Sequence, residues 1–343
     1  MEPGLHWLTR GIEEAQAAHR ERLERFFASA EPGLIAIDGP MPGASHGLWG
    51  TNAIDMLAEP DAWLDDVFAG MAACADLYAD TRTYRPLLIE LDALGTHFVD
   101  ALLGASVRFH EGQAWSEPLE IAPEELRRPD LARCRVLDRA LALARRALER
   151  TEGRVLLSTP VLSCPVNIGM NLFGGRLLED VAVRPEAARH ALSVITEVIA
   201  GSMRAFAEAI PEHIRRVSVG CSRCMPPGFG LIDGCATQLL SARHYAAHFA
   251  ELDDGLLRLH HRGGMIHLCG AHTQHLPIWR SMRALTCLQL NDRAAEDLEQ
   301  YDAALRPDQI VYAAPCETVS VERIAAVGRR RRVVLQATLP DGL

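Results

Sequence analysis

Apolar residues along this chain come in two rhythms. Over the first 30 residues they recur at helical spacing, with Leu5, Leu8, Ile12, Ala15, Leu23 and Phe26 marking one face. Beyond that, short continuous apolar runs begin, each followed by a polar or Gly/Pro-rich turn and a helical stretch. Eight such runs cover residues 33–38, 86–92, 155–161, 216–221, 265–269, 285–291, 309–316 and 332–338. Continuous apolar runs alternating with helices predict parallel strands covered on both faces. Eight of them is the strand number of a closed (β/α)8 TIM barrel, an α/β fold. An open doubly wound sheet is the alternative, but no Gly-x-Gly-x-x-Gly turn follows the first run.

The intervening helices are predicted at 60–79, 131–149, 185–209 and 241–259, with Pro185 at a first-turn position that tolerates proline. No low-complexity linker interrupts the pattern. The prediction is one barrel domain over residues 1–343, with 1–30 as an N-terminal helical extension. Only five residues follow the last run, too few for a closing helix, so the N-terminal helix is expected to cover that part of the barrel.

Composition narrows the chemistry. A formal net charge of −10 argues against a nucleic-acid or anionic-membrane surface. The single basic run, Arg329 to Arg332, leads into the last strand and reads as a solvated approach to it. No stretch of about 18 apolar residues occurs and the N-terminus does not read as a signal peptide, so the expected location is cytoplasmic. All 35 basic residues are arginine. Without lysine, Schiff-base aldolases, pyridoxal-phosphate enzymes and P-loop nucleotidases are excluded. Nine cysteines in a cytosolic chain suggest thiols and metal rather than disulfides. Cys221, Cys224, Cys269, Cys287 and Cys316 fall at or within strand-like runs, whereas Cys74 and Cys134 sit in helical patterns.

Barrel active sites lie at the C-terminal ends of strands. The first strand ends at Asp38, before a Gly/Pro-rich loop with His46, Trp49 and Asn52. The second offers Glu90 and Asp92, with His97 just beyond. The third leads to Ser163, Cys164 and Asn167, and the fourth to Cys221, Cys224 and, further on, Asp233. The fifth ends at His267 and Cys269, the sixth at Gln289, Asn291 and Asp292, and the seventh at Cys316 and Glu317.

His267 and Cys269 are the sharpest feature. Side chains two apart on a strand share a face, and an imidazole with a thiolate supplies half a tetrahedral zinc site. Two sets could complete it. One adds Cys316 and leaves an open position for water, substrate or Gln289, the catalytic pattern. The other adds Cys221 and Cys224, a closed structural site. A third reading has no metal, with the cysteines in the core and His267 hydrogen-bonded within the barrel. His272, just past Cys269, is within reach of the barrel mouth.

With these residues in view, the chain resembles the uroporphyrinogen decarboxylase superfamily, which includes zinc-dependent methylcobamide:coenzyme M methyltransferases and, more distantly, cobalamin-independent methionine synthase. The likeness runs from about residue 60 onward. It rests on Asp100-Ala-Leu-Leu-Gly-Ala-Ser-Val107, the stretch from Asn167 to Arg184 with its Phe-Gly-Gly, Pro185-Glu186, Asp233-Gly with Leu240-Ser241, and Ile266-His-Leu-Cys-Gly270. The His-x-Cys element looks like the methyltransferase branch, whose members pair it with a later cysteine.

The chain also departs from the family. Decarboxylases hold the porphyrinogen carboxylates with arginines after strand one, and between Arg25 and Arg82 this chain has no lysine or arginine. The essential decarboxylase aspartate falls near Gly95, with Asp92 only approximately placed. The methyltransferases' late cysteine follows the last strand, where this chain has none, so Cys316 substitutes for it. The resemblance therefore implies a zinc-dependent methyltransferase with His267, Cys269 and Cys316 as ligands. Gln289, Asn291, His46, His97 and His272 are expected to orient substrate or support the ligands. It also implies a methyl-corrinoid on a partner protein, or a small methylated substrate in the reverse direction. The rivals are a metal-free decarboxylase-like lyase using Asp38, Glu90 or Asp92 as acid or base, and a non-catalytic barrel binding a tetrapyrrole or corrinoid. The oligomeric state, a homodimer included, stays open.

Overall fold

The computed structural model describes residues 4–39, 55–110, 113–217, 220–340 and 342. Its strands, in chain order, are β1 (Gly33–Ala36), β2 (Leu88–Ile89), β3 (Val107–His110), β4 (Gln113–Ser116), β5 (Leu156–Ser158) and β6 (Arg215–Arg216), then β7 (Gly230–Asp233), β8 (Gly264–Cys269), β9 (Leu285–Asn291), β10 (Ile310–Ala313) and β11 (Arg332–Leu335). Six form a parallel sheet in the order β1-β11-β10-β9-β8-β7, and a second parallel sheet runs β2-β5-β6. Two single parallel bridges, Ile37–Tyr84 and Ser163–Asp233, connect the sheets. The architecture is TIM-barrel-like, with helices between parallel strands. The two sheets meet at single bridges, and no continuous eight-strand ladder is present among the described residues. β3 and β4 form a separate antiparallel hairpin.

Apart from the half-buried β1 and the short β6, the parallel strands are buried on both faces, which is why their sequences read as continuous apolar runs. On β8, Met265 and His267 occupy one face and Ile266 and Leu268 the other, and all four are buried. Parallel pairing also places the C-terminal ends of these strands on the same side of each sheet, so the candidate residues gather there.

The fourth predicted strand is corrected. Of the run 216–221, Arg216 belongs to the short β6, which pairs with Leu157 and Ser158. Cys221–Arg223 is a 3-10 turn. Gly220 takes φ +74°, a left-handed turn that suits glycine. The neighbour of β8 is β7, in register from Gly230–Gly264 to Asp233–His267. Glycine permits that approach: a Cβ on Gly264 would lie 2.5 Å from the Gly230 carbonyl oxygen. Two predicted helices are each divided, the first into Pro60–Ala73 and Ala75–Tyr78 and the last into Ala242–His248 and Ala250–Leu257.

The N-terminal helix, Arg10–Ala28, lies where strands begin. The Gln16 amide donates to the Tyr78 and Arg85 carbonyls and accepts from the Leu87 N–H. At the helix C-terminus, Arg332 donates to the Phe26 and Phe27 carbonyls, where a cation also suits the helix dipole. The basic run is thus solvated in its first half, Arg329 and Arg330, and structural in its second. Arg331 and Arg332 are buried, and Arg330 and Arg331 both pair with Asp302.

Candidate metal centre

Register brings one row of side chains level across the sheet. Asp233 on β7, His267 on β8, Gln289 on β9 and Tyr312 on β10 are successive partners. Along β8, His267 and Cys269 share a face, and Cys269 Sγ lies 3.1 Å from His267 Nε2.

The third member is Cys235. The Gly234 N–H donates to the His267 carbonyl at 2.8 Å, keeping the chain beside β8 after β7 ends. Cys235, two residues past Asp233, therefore arrives next to Cys269, two residues past His267. The ligand atoms of Cys235, His267 and Cys269 all lie within 4.8 Å of one another. Zinc bonds of about 2.0–2.3 Å in a tetrahedron put neighbouring ligand atoms about 3.5 Å apart, so this donor set suits the ion.

Cys316 is not in that group. Its backbone bridges Val319, and its Sγ lies 3.6 Å from Thr318 Oγ1. Nor are Cys221 and Cys224. The Cys221 thiol lies against the Glu90 carboxyl, and the Cys224 carbonyl accepts from the Tyr312 hydroxyl at 3.0 Å.

Protonation within the cluster follows from its contacts. The Cys235 thiol donates to the Cys269 sulfur, and this bond, opposed by burial and reinforced by His267, holds Cys269 well below the usual thiol range. The same shared proton pushes Cys235 upward. Asn291 adds an Nδ2 donor 3.8 Å from the Cys269 sulfur and also bonds Asp292 at 2.9 Å.

A chain of carboxamides fixes the imidazole. His267 Nδ1 hydrogen-bonds Gln289 Oε1, which can only accept, so Nδ1 carries a hydrogen and Nε2 is the nitrogen turned toward Cys269. Gln289 Nε2 donates to Gln336 Oε1 at 2.6 Å, and Gln336 Nε2 to Ser222 Oγ at 3.1 Å. Metal-binding histidines commonly have their second nitrogen held in this way. His272 supports the other ligand. Burial pushes it down to about 4, so it is neutral near pH 7, and its Nε2 lies 2.6 Å from the Cys269 carbonyl. Its Nδ1 is 3.0 Å from Thr237 Oγ1.

The predicted carboxylates divide into two kinds. Asp38 is tied down. It accepts from the Gly39 N–H at 2.8 Å and from the Thr338 hydroxyl, and Arg85 stands 3.4 Å away. Glu90 and Asp92 are buried. Burial, then the neighbouring Asp92, pushes Glu90 up to about 8. Burial pushes Asp92 up to about 7, with Asp233 adding to the effect and the Val161 N–H opposing it.

His97 belongs to a separate constellation. Its Nδ1 is 2.6 Å from Asp100 Oδ2, and Asn171 donates to the same oxygen at 2.8 Å. The helix Pro165–Phe173 connects this constellation to the cluster. One turn before Asn171, the Asn167 Oδ1 accepts from the Ala236 N–H at 2.8 Å, beside Cys235. His46, Trp49 and Asn52 lie outside the described residues.

Sequence reading missed Cys235, Gln336 and Ser222. The signal for Cys235 was present in Leu231-Ile-Asp-Gly-Cys235, a short apolar run followed by a cysteine.

No protein-family model matches the chain, and no curated protein matches its sequence. Among solved structures it is similar to a methyltransferase from Methanosarcina mazei, with a TM-score of 0.60 over 92% of this chain and 91% of that one. The two are 14% identical, so the likeness is one of fold. No helix among the described residues is long and apolar enough to cross a membrane.

Proposed function

We propose that this chain is a zinc-dependent methyltransferase with Cys235, His267 and Cys269 as its ligands. The observation that carries the reading is the convergence of two sulfurs and an imidazole nitrogen at the C-terminal ends of parallel strands. Three protein ligands with a fourth position free is the pattern of catalytic rather than structural zinc. The shared fold with a methyltransferase supports the same choice. Zinc bound there would act as a Lewis acid, lowering the pKa of a thiol substrate so that it presents a thiolate to a methyl group.

The chain's own residues do the positioning. Gln289 holds His267 with its Nε2 toward the sulfurs, and His272 fixes the backbone at Cys269. Asn291 offers a hydrogen-bond donor to the Cys269 sulfur. The donor this reading proposes is a methyl-corrinoid on a partner protein, with demethylation of a small methylated substrate as the reverse reaction.

A metal-free lyase is the second reading. It is favoured by the two buried carboxyls at about 8 and about 7, which are poised to exchange a proton near neutrality. Methyl transfer from methylcobalamin to a simple thiol, measured before and after chelation, separates the two. Activity lost with the metal and restored by zinc is the expected result. Turnover that persists in fully chelated protein would overturn it.

A further inference from the structure

Three buried carboxylates adjoin the cluster with oxygens that no protein group satisfies. Glu90, Asp92 and Asp233 are 3%, 2% and 3% exposed. Glu90 Oε1, Asp92 Oδ2 and Asp233 Oδ1 have no hydrogen-bond partner, and neither has the fully buried hydroxyl of Ser163. These groups are neighbours. Glu90 and Asp92 are two apart on one chain segment, and Asp92 Oδ1 accepts from the Val161 N–H at 3.2 Å, two residues before Ser163. Ser163 bridges Asp233, and Asp233 is the register partner of His267.

Buried polar atoms without partners are costly and uncommon, so three carboxylate oxygens beside an unpaired hydroxyl call for a ligand that brings donors. The nearest cation, Arg223, stands 3.8 Å from Asp233 Oδ1, one guanidinium against three carboxyls. A metal ion is the wrong occupant. Among the described residues no three of these carboxylates bring oxygens within 4.8 Å of one another, as the cluster's ligand atoms do. They are spread too widely to ligate one ion, whereas an ammonium needs only one or two close acceptors. A protonated amine fits better, because it carries positive charge and several N–H donors on one small group. The high carboxyl pKa values of Glu90 and Asp92 are what enclosed carboxyls show without a counter-ion.

We propose that the substrate of this site is an aminothiol, its protonated amine held at Asp92, which neighbours both Glu90 and Asp233, and its sulfur directed to the Cys235–His267–Cys269 cluster. The thiol half rests on the zinc reading above; the amine half stands on the carboxylates alone. Adjacent strands are about 4.8 Å apart, so the Asp233–His267 pairing spans the two ends of a short aliphatic spacer. An acidic thiol carrying a carboxylate or sulfonate would meet like charge there.

The test is calorimetric binding to the full-length zinc-loaded protein, using cysteamine, 2-mercaptoethanol and 3-mercaptopropionate, with ethylammonium as a thiol-free probe. Cysteamine should bind about tenfold or more tightly than either of the other thiols, a preference that needs no variant to measure. Asp92→Asn should weaken cysteamine by about tenfold while sparing 2-mercaptoethanol affinity and zinc content. Glu90→Gln serves the same purpose should Asp92→Asn fail to fold. Ethylammonium binding to zinc-free protein, lost in either variant, supports the amine half even if the metal reading fails. Zinc retained with no amine binding overturns this inference and leaves the metal reading intact. Equal affinity for 3-mercaptopropionate, or displacement of ethylammonium by stoichiometric magnesium, would also overturn it.

Discussion

Replacing Gln289 with leucine tests whether the carboxamide chain prepares His267 as a ligand. The side chain is 1% exposed and uses both ends of its amide, Oε1 toward His267 Nδ1 and Nε2 toward Gln336 Oε1. Leucine removes both contacts without adding a charge. Two effects follow. The imidazole loses the acceptor that keeps hydrogen on Nδ1, so Nε2 is no longer reserved as the nitrogen for the metal. Gln336, itself only 9% exposed, is left with an oxygen short of a donor. Loss of a buried hydrogen bond with a stranded partner costs about 1–3 kcal/mol. Loss of a histidine ligand's outer partner weakens metal affinity by about 10–100-fold. Competition titration against a chromophoric zinc chelator should show a shift in that range, with circular dichroism confirming the fold. Gln289→Glu, which keeps an acceptor at the same place, should recover most of the affinity. A leucine variant that folds and binds zinc within about twofold of wild type would refute the idea that the amide sets the ligand.

Other consequences follow from the same geometry. Glu90 is raised to about 8 from an ordinary 4.5, so the folded protein binds the extra proton between those values and loses stability as pH rises through them. Glu90→Gln should remove that slope, gaining on wild type by up to about 4 kcal/mol by pH 8, and parallel melting curves at pH 5 and pH 8 would contradict it. A Cβ on Gly230 would lie 2.2 Å from His260 Cδ2, so Gly230→Ala should destabilise the protein by about 1–3 kcal/mol in urea titrations. Arg332→Met should cost about 1–3 kcal/mol, because the Phe26 and Phe27 carbonyls lose their donor, and an unchanged urea midpoint would count against that role.

Much of this was legible in the sequence, for a physical reason. Strands buried on both faces must be apolar throughout, so seven of the eight runs mark observed strands. His267 and Cys269 could be placed together because a strand's period is two. Cys235 could not, because its position depends on pairing between β7 and β8, and pairing is not written in either strand alone. The four residues of β7 lie between glycines and read as loop, while the longer run at 216–221 drew the assignment. Cys316 was chosen for its place after an apolar run. That run, 309–316, does contain β10, but the chain beyond Ala313 turns back on itself at the Cys316–Val319 bridge. Gln336 and Ser222 carry no signature of their own, and their role appears only when the end of β11 meets the loop after β6.

The central claim is the identity of the third ligand, and zinc content of two variants tests it directly. Cys235→Ser and Cys316→Ser, purified with wild type and dialysed against the same weak chelator, are measured by inductively coupled plasma mass spectrometry. Wild type and Cys316→Ser should each retain about one zinc per chain, and Cys235→Ser should retain almost none. Zinc kept by Cys235→Ser and lost by Cys316→Ser would contradict the account.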